Sequence, residues 1–152
     1  MRILVDADAC PVKEIIVRLA KEHNFEVTMY LDNSHVYSDG YSKVLIFDKG
    51  ADSVDYALIK DVEKGDIVVT QDYGVAAMAL AKAGIPIHQN GTVFTNFNID
   101  SFLNQRYTGQ KMRRAGLRTK GPKKRTKDHD KAFFESFSKL LKNQWKLIFY
   151  FI

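Results

Sequence analysis

An α/β fold is predicted, with a mainly parallel sheet of about five strands between two layers of helices. Short apolar runs rich in branched residues alternate with helix-like segments through residue 90, which is typical of strand–helix–strand units. Right-handed crossovers then place the connecting helices on both faces of the sheet. The length of 152 residues and the hydrophobic content of 45% suit one compact domain. We therefore expect a single three-layer α/β/α domain over residues 1–152.

The first half of the chain begins with a buried strand at residues 2–6 and a helix over residues 11–23. Apolar residues recur at helical spacing in this helix, and Pro11 suits its first turn because no N–H is needed there. Two further strands and a second helix are predicted at residues 25–31, 44–48 and about 52–62.

The second half begins with a strand at residues 65–72, a helix over residues 73–84 and a short strand at residues 85–89. Helices over residues 98–115 and about 128–142 follow, with a basic arm at about 111–127. The last eight residues, 145–152, are strongly apolar. We expect them to pack either on the core or on a partner subunit. In the second case the protein would be a homodimer.

Charge is distributed unevenly along the chain. Residues 1–110 contain 10 basic and 15 acidic residues, a net charge of −5, whereas residues 111–152 contain 13 and 3, a net charge of +10. The basic arm holds nine of these basic residues and no acid, a pattern typical of contact with RNA or another nucleic acid. A solvated loop is the alternative. The residues expected to contact phosphates are Arg113, Arg114, Arg118, Lys120, Lys123, Lys124 and Arg125.

Composition argues against several other classes of protein. No apolar run approaches the roughly 18 residues of a membrane span, and the N-terminus lacks the pattern of a signal peptide. We therefore expect a cytoplasmic protein with no membrane partner. The single Cys10 and four histidines give no zinc-site spacing, so neither zinc nor an organic cofactor is expected.

Five acids fall where the carboxyl ends of the predicted strands meet. Asp6 and Asp8 end the first strand, and Asp72 ends the fourth. Asp52 and Asp55, at the start of a predicted helix, are three residues apart and can share one face of it. Ligands of parallel sheets bind beyond this edge. We therefore expect these five carboxylates to converge there.

Such a cluster of carboxylates is unfavourable without a cation. Two carboxylates about 4 Å apart repel by roughly 4 kcal/mol at an effective dielectric constant near 20, so protonation or a bound cation must relieve the repulsion. Carboxylate and water ligands favour Mg²⁺ or Mn²⁺. One or two such ions could activate a water and stabilise the leaving oxygen of a phosphodiester. Asp6, Asp8 and Asp72 are accordingly the candidate catalytic residues.

Some of these acids have a purely structural alternative. Asp52 and Asp55 suit a helix N-terminus, where capping and the helix dipole favour acids. Asp8 is likewise a candidate cap for the first helix. Asp6 and Asp72 end apolar strands, where no capping role is expected.

Three further residues fall near the same edge. Thr70 and Asn90 are candidates for substrate contact, and Thr70 could also orient a carboxylate. The alternatives are a β-branched strand residue for Thr70 and an ordinary Asn-Gly turn for Asn90. Cys10 is expected to be a small buried residue and not a nucleophile, since neighbouring acids would raise the pKa of its thiol.

Four segments together resemble the YaiI/YqxD family of uncharacterised bacterial proteins: VDADACP, KGADSVDYALI, GDIVVTQDYGVAAMALAKAG and GLRTKGP…DHDKAFFESFSKLL. That family is grouped with PIN-like domains, which are α/β nucleases that hold Mg²⁺ or Mn²⁺ with acids and cleave RNA. The resemblance implies that Asp6 is the first-strand acid, Asp52 or Asp55 the helix acid, and Asp72 the acid of the T-x-D motif, here TQD.

One departure from the PIN pattern leaves three functions open. Many PIN nucleases have a further acid downstream, whereas no acid lies between Asp72 and Asp100. Either Asp8 replaces it, or the site holds one metal, or catalysis is lost. A metal-dependent ribonuclease is the leading interpretation, and a non-catalytic RNA-binding module is the second. A phosphatase with Asp6 as its nucleophile is the third, although the chain supplies no convincing later acidic pair.

Overall fold

A computed structural model of the chain describes residues 1–50, 52–119 and 124–150, with side chains described as far as residue 144. Its strands are β1 Arg2–Asp6, β2 Glu26–Asp32, β3 Lys43–Phe47, β4 Ile67–Val69 and β5 Ile85–Ile87. Its helices are α1 Lys13–His23, α2 Ser53–Asp61, α3 Tyr73–Ala81, α4 Ile99–Arg114 and α5 Lys127–Tyr150. The strands form one sheet in the order β3-β2-β1-β4-β5, and every neighbouring pair is parallel.

The central strand β1 is buried on both faces of the sheet. Ile3 and Val5 point into a core shared with α1 and α5, whereas Leu4 lies in the opposite core with α2 and α3. A strand covered on both faces needs apolar side chains at successive positions. This requirement explains why the sequence RILVD reads as a continuous apolar run.

Two layers of helices enclose the sheet, which confirms the predicted three-layer α/β/α fold. On one face, Phe133 and Phe137 of α5 stack at a centroid distance of 5.1 Å and are fully buried beside α1. On the other face, Leu58 of α2 and Ala79 of α3 are fully buried. The remaining helix, α4, packs on the outside of α3, where Phe102 contacts Tyr73 at a centroid distance of 5.2 Å.

Three helices differ by two or more residues from their predicted limits, and one of them is α3, which ends at Ala81 and not at residue 84. The first helix, α1, begins at Lys13, with Val12 as its N-cap, because the chain leaving β1 first makes a turn in which the Cys10 N–H donates to the Ala7 carbonyl at 3.3 Å. Pro11 lies between this turn and the N-cap Val12 and does not start the helix. The last helix, α5, continues well beyond the predicted end at residue 142. The homodimer prediction rests on the side chains of residues 145–152, which lie outside the described part.

Two strands are shorter than predicted, and both differences shape the carboxyl edge. The strand expected at 65–72 is ordered as β4 only from Ile67 to Val69, and the residues after it form the entry to α3. The strand expected at 85–89 ends at Ile87, because the chain then folds back and the His88 N–H donates to the Thr92 carbonyl at 2.8 Å.

The predicted basic arm begins inside a helix. Residues 111–114 are the last turn of α4, and the left-handed Gly116, with φ of +78°, ends it. Lys120, Gly121, Pro122 and Lys123 lie outside the described residues. Among the described residues, no helix combines the length and the apolar character that crossing a bilayer requires.

Candidate functional site

Three acids from separate elements meet at the carboxyl edge of the sheet. Asp6 is the last residue of β1, and Asp72 directly precedes α3. β1 pairs with β4 through Val5 and Val69, so these two acids follow neighbouring strands. α2 starts after the edge strand β3 and packs across β2 and β1. This crossing carries Asp55, in the first turn of α2, to the same edge.

The pKa values of these acids are raised by burial and mutual repulsion. Burial raises the pKa of Asp6 from 3.8 to about 7, and the charges of Asp55, Asp72 and Asp8 contribute to the rise. Burial also raises the pKa of Asp55, together with the charges of Asp72 and Asp52. The ionised cluster is therefore unfavourable in the protein alone, and a nearby cation would relieve it.

Thr70 connects two members of this cluster. Its hydroxyl donates to Asp6 Oδ2 at 3.0 Å and accepts a hydrogen bond from the Asp72 backbone N–H, also at 3.0 Å. The residue is buried, and its hydrogen bond lowers the pKa of Asp6, against the effect of burial. This geometry fits a residue that orients a carboxylate better than an ordinary strand residue.

Asp72 is the N-cap of α3, so the expectation that it has no capping role is wrong. Its Oδ1 accepts hydrogen bonds from the backbone N–H groups of Gly74 at 2.8 Å and Val75 at 3.1 Å. The early end of β4 puts Asp72 at this position. Arg106 of α4 also approaches Oδ1, with Nη1 at 3.4 Å. Within the described part of the chain, these contacts all involve Oδ1, and Oδ2 remains available to a ligand.

Asp8 is held by the end of β2. Its two carboxylate oxygens lie 3.3 and 3.2 Å from the Asp32 backbone N–H, and its Oδ1 lies 2.9 Å from Nδ1 of His35. The capping alternative for Asp8 is wrong, because Val12 is the N-cap of α1 and, among the described residues, no side chain makes a capping hydrogen bond there. Ligand atoms of Asp8, Asp32 and His35 lie within 4.8 Å of one another, and this group adjoins the Asp6 cluster.

The two acids at the start of α2 differ in their surroundings. Asp52 is the N-cap residue of α2, as its structural alternative predicted, but it is exposed, its backbone is left-handed with φ of +69°, and its side chain makes no capping hydrogen bond. Asp55 is partly buried and its charge acts on the pKa of Asp6. Asp55 is therefore the helix acid that faces the end of β1.

Two predicted substrate-binding residues are engaged within the fold. Asn90 lies in a turn, where its Oδ1 accepts from the Thr92 N–H at 3.0 Å, as its structural alternative predicted. Arg125 donates to the Gln89 carbonyl at 2.9 Å and pairs with Asp130 at 2.7 Å. These contacts fix the start of α5 against the end of β5.

The other described residues of the basic arm lie at the surface. Arg113 ends α4 and donates to the Thr119 hydroxyl at 3.4 Å. Arg114, Arg118 and Lys124 are exposed. Lys120 and Lys123 fall outside the described residues, so the structure describes five of the seven arm residues named from the sequence.

The donor atoms of the cluster are those that Mg²⁺ and Mn²⁺ bind. Asp6, Asp55 and Asp72 offer carboxylate oxygens, which are hard ligands. Cys10 is buried, and burial raises the pKa of its thiol, so no thiolate is favoured there and the expectation of a small buried residue fits. An oxygen-only set of this kind suits divalent cations, but a bound ion would have to draw these three acids together. Among the described residues, the group of three whose ligand atoms already lie within 4.8 Å of one another is Asp8, Asp32 and His35.

Sequence reasoning missed three residues of this edge. Asp32 ends β2 and could have been found by the rule that selected Asp6, but the polar turn after it hid the strand end. His35 follows in that turn. Arg106 reaches Asp72 from α4, 34 residues further along the chain, and no local pattern marks such a contact.

Comparison with known proteins gives close relatives in several bacteria, each called "UPF0178 protein". The relative from Ruminiclostridium cellulolyticum is 56% identical over 133 residues, covering 88% of this chain and 87% of its own length. The relative from Exiguobacterium sibiricum is 50% identical over 141 residues, covering 93% of this chain and 96% of its own length. The relative from Lachnoclostridium phytofermentans is 52% identical over 147 residues, covering 94% of this chain and 98% of its own length.

No solved structure matches the chain significantly. The family model described as "Uncharacterized BCR, YaiI/YqxD family" matches residues 4–143. This match includes the ends of β1 and β4 and the whole of α4. The chain belongs to the YaiI/YqxD family, to which its sequence segments pointed.

Proposed function

We propose that the chain is a nuclease that hydrolyses RNA phosphodiesters with Mg²⁺ or Mn²⁺ held by Asp6, Asp55 and Asp72. The observation that carries this proposal is the convergence of the three carboxylates, where the pKa of Asp6 is raised to about 7. Acids crowded in this way at the carboxyl edge of a parallel sheet are stabilised by a divalent cation. The resemblance to PIN-like nucleases supports the same class of reaction.

Each acid would have a defined role in this site. Thr70 orients Asp6 through Oδ2, and the N-terminus of α3 holds Asp72 through Oδ1, so each keeps a second oxygen for a cation. Asp8, fixed by β2, is a further ligand candidate. A divalent cation at this place would make a water more acidic and stabilise the charge on the leaving oxygen.

RNA is the proposed substrate because a basic segment begins at the end of α4, the helix whose Arg106 contacts Asp72 of the acid cluster. Residues 111–127 carry nine basic residues and no acid. The described Arg114, Arg118 and Lys124 are exposed and available to phosphates. Their attraction would offset the repulsion between the acid cluster and a polyanion.

The wild-type protein is expected to cleave a single-stranded RNA oligonucleotide in Mn²⁺ or Mg²⁺. Cleavage should stop when a chelator is added, because the carboxylates act only through the cation that they hold. Gel analysis of labelled RNA, with single-stranded DNA of the same sequence in parallel, measures this. Cleavage that persists in chelator would contradict a metal-dependent site. Intact RNA with every cation would refute the nuclease proposal itself.

A second candidate, an RNA-binding module without cleavage, is favoured by one observation. Oδ1 of Asp72 already caps α3 and faces Arg106 at 3.4 Å, so this acid has a structural role without a metal. The same samples separate the two functions. RNA that is bound with micromolar affinity but stays intact in Mn²⁺ identifies the non-catalytic module.

A further inference from the structure

A polar groove runs along α4 away from the acid cluster. One cavity, of about 440 Å³, is lined by Asp72, Gln105 and Arg106. A second, of about 770 Å³, also includes Gln105 and extends to Arg113 and Thr119. Because Gln105 lines both, the two cavities are adjacent, and we call them together the α4 groove. From Gln105 to Arg113 the groove follows the helix for about 12 Å at about 1.5 Å per residue.

The lining of this groove suits a chain of phosphodiesters. Its charged residues are Arg106 and Arg113, with Asp72 as the single acid among the described lining residues. The remaining side chains are mainly amides and hydroxyls, which can donate hydrogen bonds to phosphate or sugar oxygens. The groove therefore carries one positive charge at each end, with neutral polar residues between them and Asp72 at the end where the acid cluster lies.

Two glycines leave space for the two arginine side chains. A Cβ atom on Gly74 would lie 3.3 Å from Nη1 of Arg106 and 3.1 Å from Oδ1 of Asp72. A Cβ atom on Gly109 would lie 3.3 Å from Nη1 of Arg113. Each guanidinium thus lies close against a helix at a position without a side chain, at the wall of the groove.

In the ion pair between Arg106 and Asp72, a phosphate can replace the carboxylate as the partner of the guanidinium. The Nη1 to Oδ1 distance is 3.4 Å, and the two side chains are 47% and 32% exposed. An exposed ion pair of this kind contributes little free energy. A guanidinium can instead bind a phosphate through two parallel hydrogen bonds. A phosphate entering the cluster would therefore compete with Asp72 for Arg106.

We propose that this groove binds the backbone of a single-stranded nucleic acid and leads it to the acid cluster, with Arg106 holding the phosphate next to the one that reacts. This inference rests on the proposed function, which it extends by naming the path of the substrate. At about 3.4 Å per nucleotide of one strand, the groove accommodates about three nucleotides. Arg106 is a binding residue in this account, and the cation ligands remain Asp6, Asp55 and Asp72.

The test measures binding without chemistry, using fluorescence anisotropy of a labelled eight-nucleotide RNA and the matching DNA. The protein carries Asp6→Asn, so that cleavage does not alter the probe. Arg106→Gln and Arg113→Gln are each expected to weaken binding about 10-fold, as for loss of a charged hydrogen bond. Each should also reduce the slope of log affinity against log salt by about 0.7. Arg18→Gln, on α1 at the opposite face of the sheet, is the control for loss of one positive charge and should bind like its parent.

The outcomes separate this inference from the nuclease proposal. If wild-type protein cleaves RNA and Arg106→Gln leaves affinity and salt slope unchanged, the groove is refuted and the nuclease stands. If no cation supports cleavage but Arg106→Gln weakens binding selectively, the groove stands and the nuclease fails. RNA and DNA should lose affinity alike, because the contacts are to the backbone. A loss confined to RNA, or an equal loss in Arg18→Gln, would overturn the assignment.

Discussion

Asp6→Asn and Asp72→Asn are each expected to reduce Mn²⁺-dependent RNA cleavage by about 100-fold or more. An effect of this size follows the loss of one group that stabilises the transition state. Both substitutions keep the shape of the side chain. An asparagine oxygen can still accept the hydrogen bond of Thr70 at position 6, or cap α3 at position 72. The expected loss therefore reflects the missing charge and not a missing fold.

The control for this prediction is Glu22→Gln, which also replaces an exposed carboxylate by an amide. Glu22 lies in the last turns of α1, and because α1 runs back from the end of β1, this residue is at the opposite edge of the sheet. Its cleavage rate should equal that of wild type. If all three variants cleave at the wild-type rate, a contaminating nuclease explains the activity and the acid cluster is not the active site.

Asp6→Asn is also expected to stabilise the metal-free protein at pH 8, by about 2 kcal/mol in free energy of unfolding. Burial raises the pKa of Asp6 from 3.8 to about 7, so at pH 8 the folded chain carries an ionised, poorly solvated carboxylate. One pKa unit corresponds to about 1.4 kcal/mol, so the destabilisation is about 4 kcal/mol at most. Asparagine removes the charge, but burying its polar amide still costs part of this free energy. The expected gain is therefore about half of the maximum.

The pH dependence has a defined sign. Between about pH 4 and pH 7 the folded state binds a proton at Asp6 that the unfolded state has released. The wild-type protein therefore loses stability as the pH rises through this window. The variant lacks this group, so the two proteins should have similar stability near pH 4 and differ most above pH 7.

Thermal unfolding in chelator at pH 4.5 and pH 8 measures this difference. At pH 8 the midpoint of Asp6→Asn should exceed that of wild type by about 4 to 8 °C, on the scale for chains of this size. Adding Mn²⁺ should raise the wild-type midpoint and reduce the gap. A variant that unfolds below wild type at pH 8 would show that ionised Asp6 is stabilised without a metal.

The fold follows from the sequence because each strand of a buried parallel sheet must be apolar on both faces. This requirement makes RILVD and IVV readable as strands. Element limits are harder to predict, since they depend on contacts that the sequence does not display. β4 ends early because the Asp72 side chain caps α3, and Pro11 lies outside α1 because the chain first turns after β1.

The candidate site was predictable to the extent that topology alone places its residues. Asp6 and Asp72 follow neighbouring strands, and Asp55 follows from the crossing of α2. The partners of these acids were not predictable, because they come from distant elements. Arg106 reaches Asp72 across 34 positions, and Asp32 holds Asp8 across 24. A sequence pattern records neighbours along the chain, whereas these contacts arise only from packing.

The central claim is that Asp6, Asp55 and Asp72 form a site for a divalent cation. Calorimetric titration of Mn²⁺ into the metal-free protein at pH 8 tests it most directly, since it requires no substrate. We predict saturable binding of one or two ions to wild type and to Glu22→Gln, and a loss of at least one ion in Asp6→Asn. Absence of saturable binding to wild type, or equal binding by Asp6→Asn, would contradict the claim.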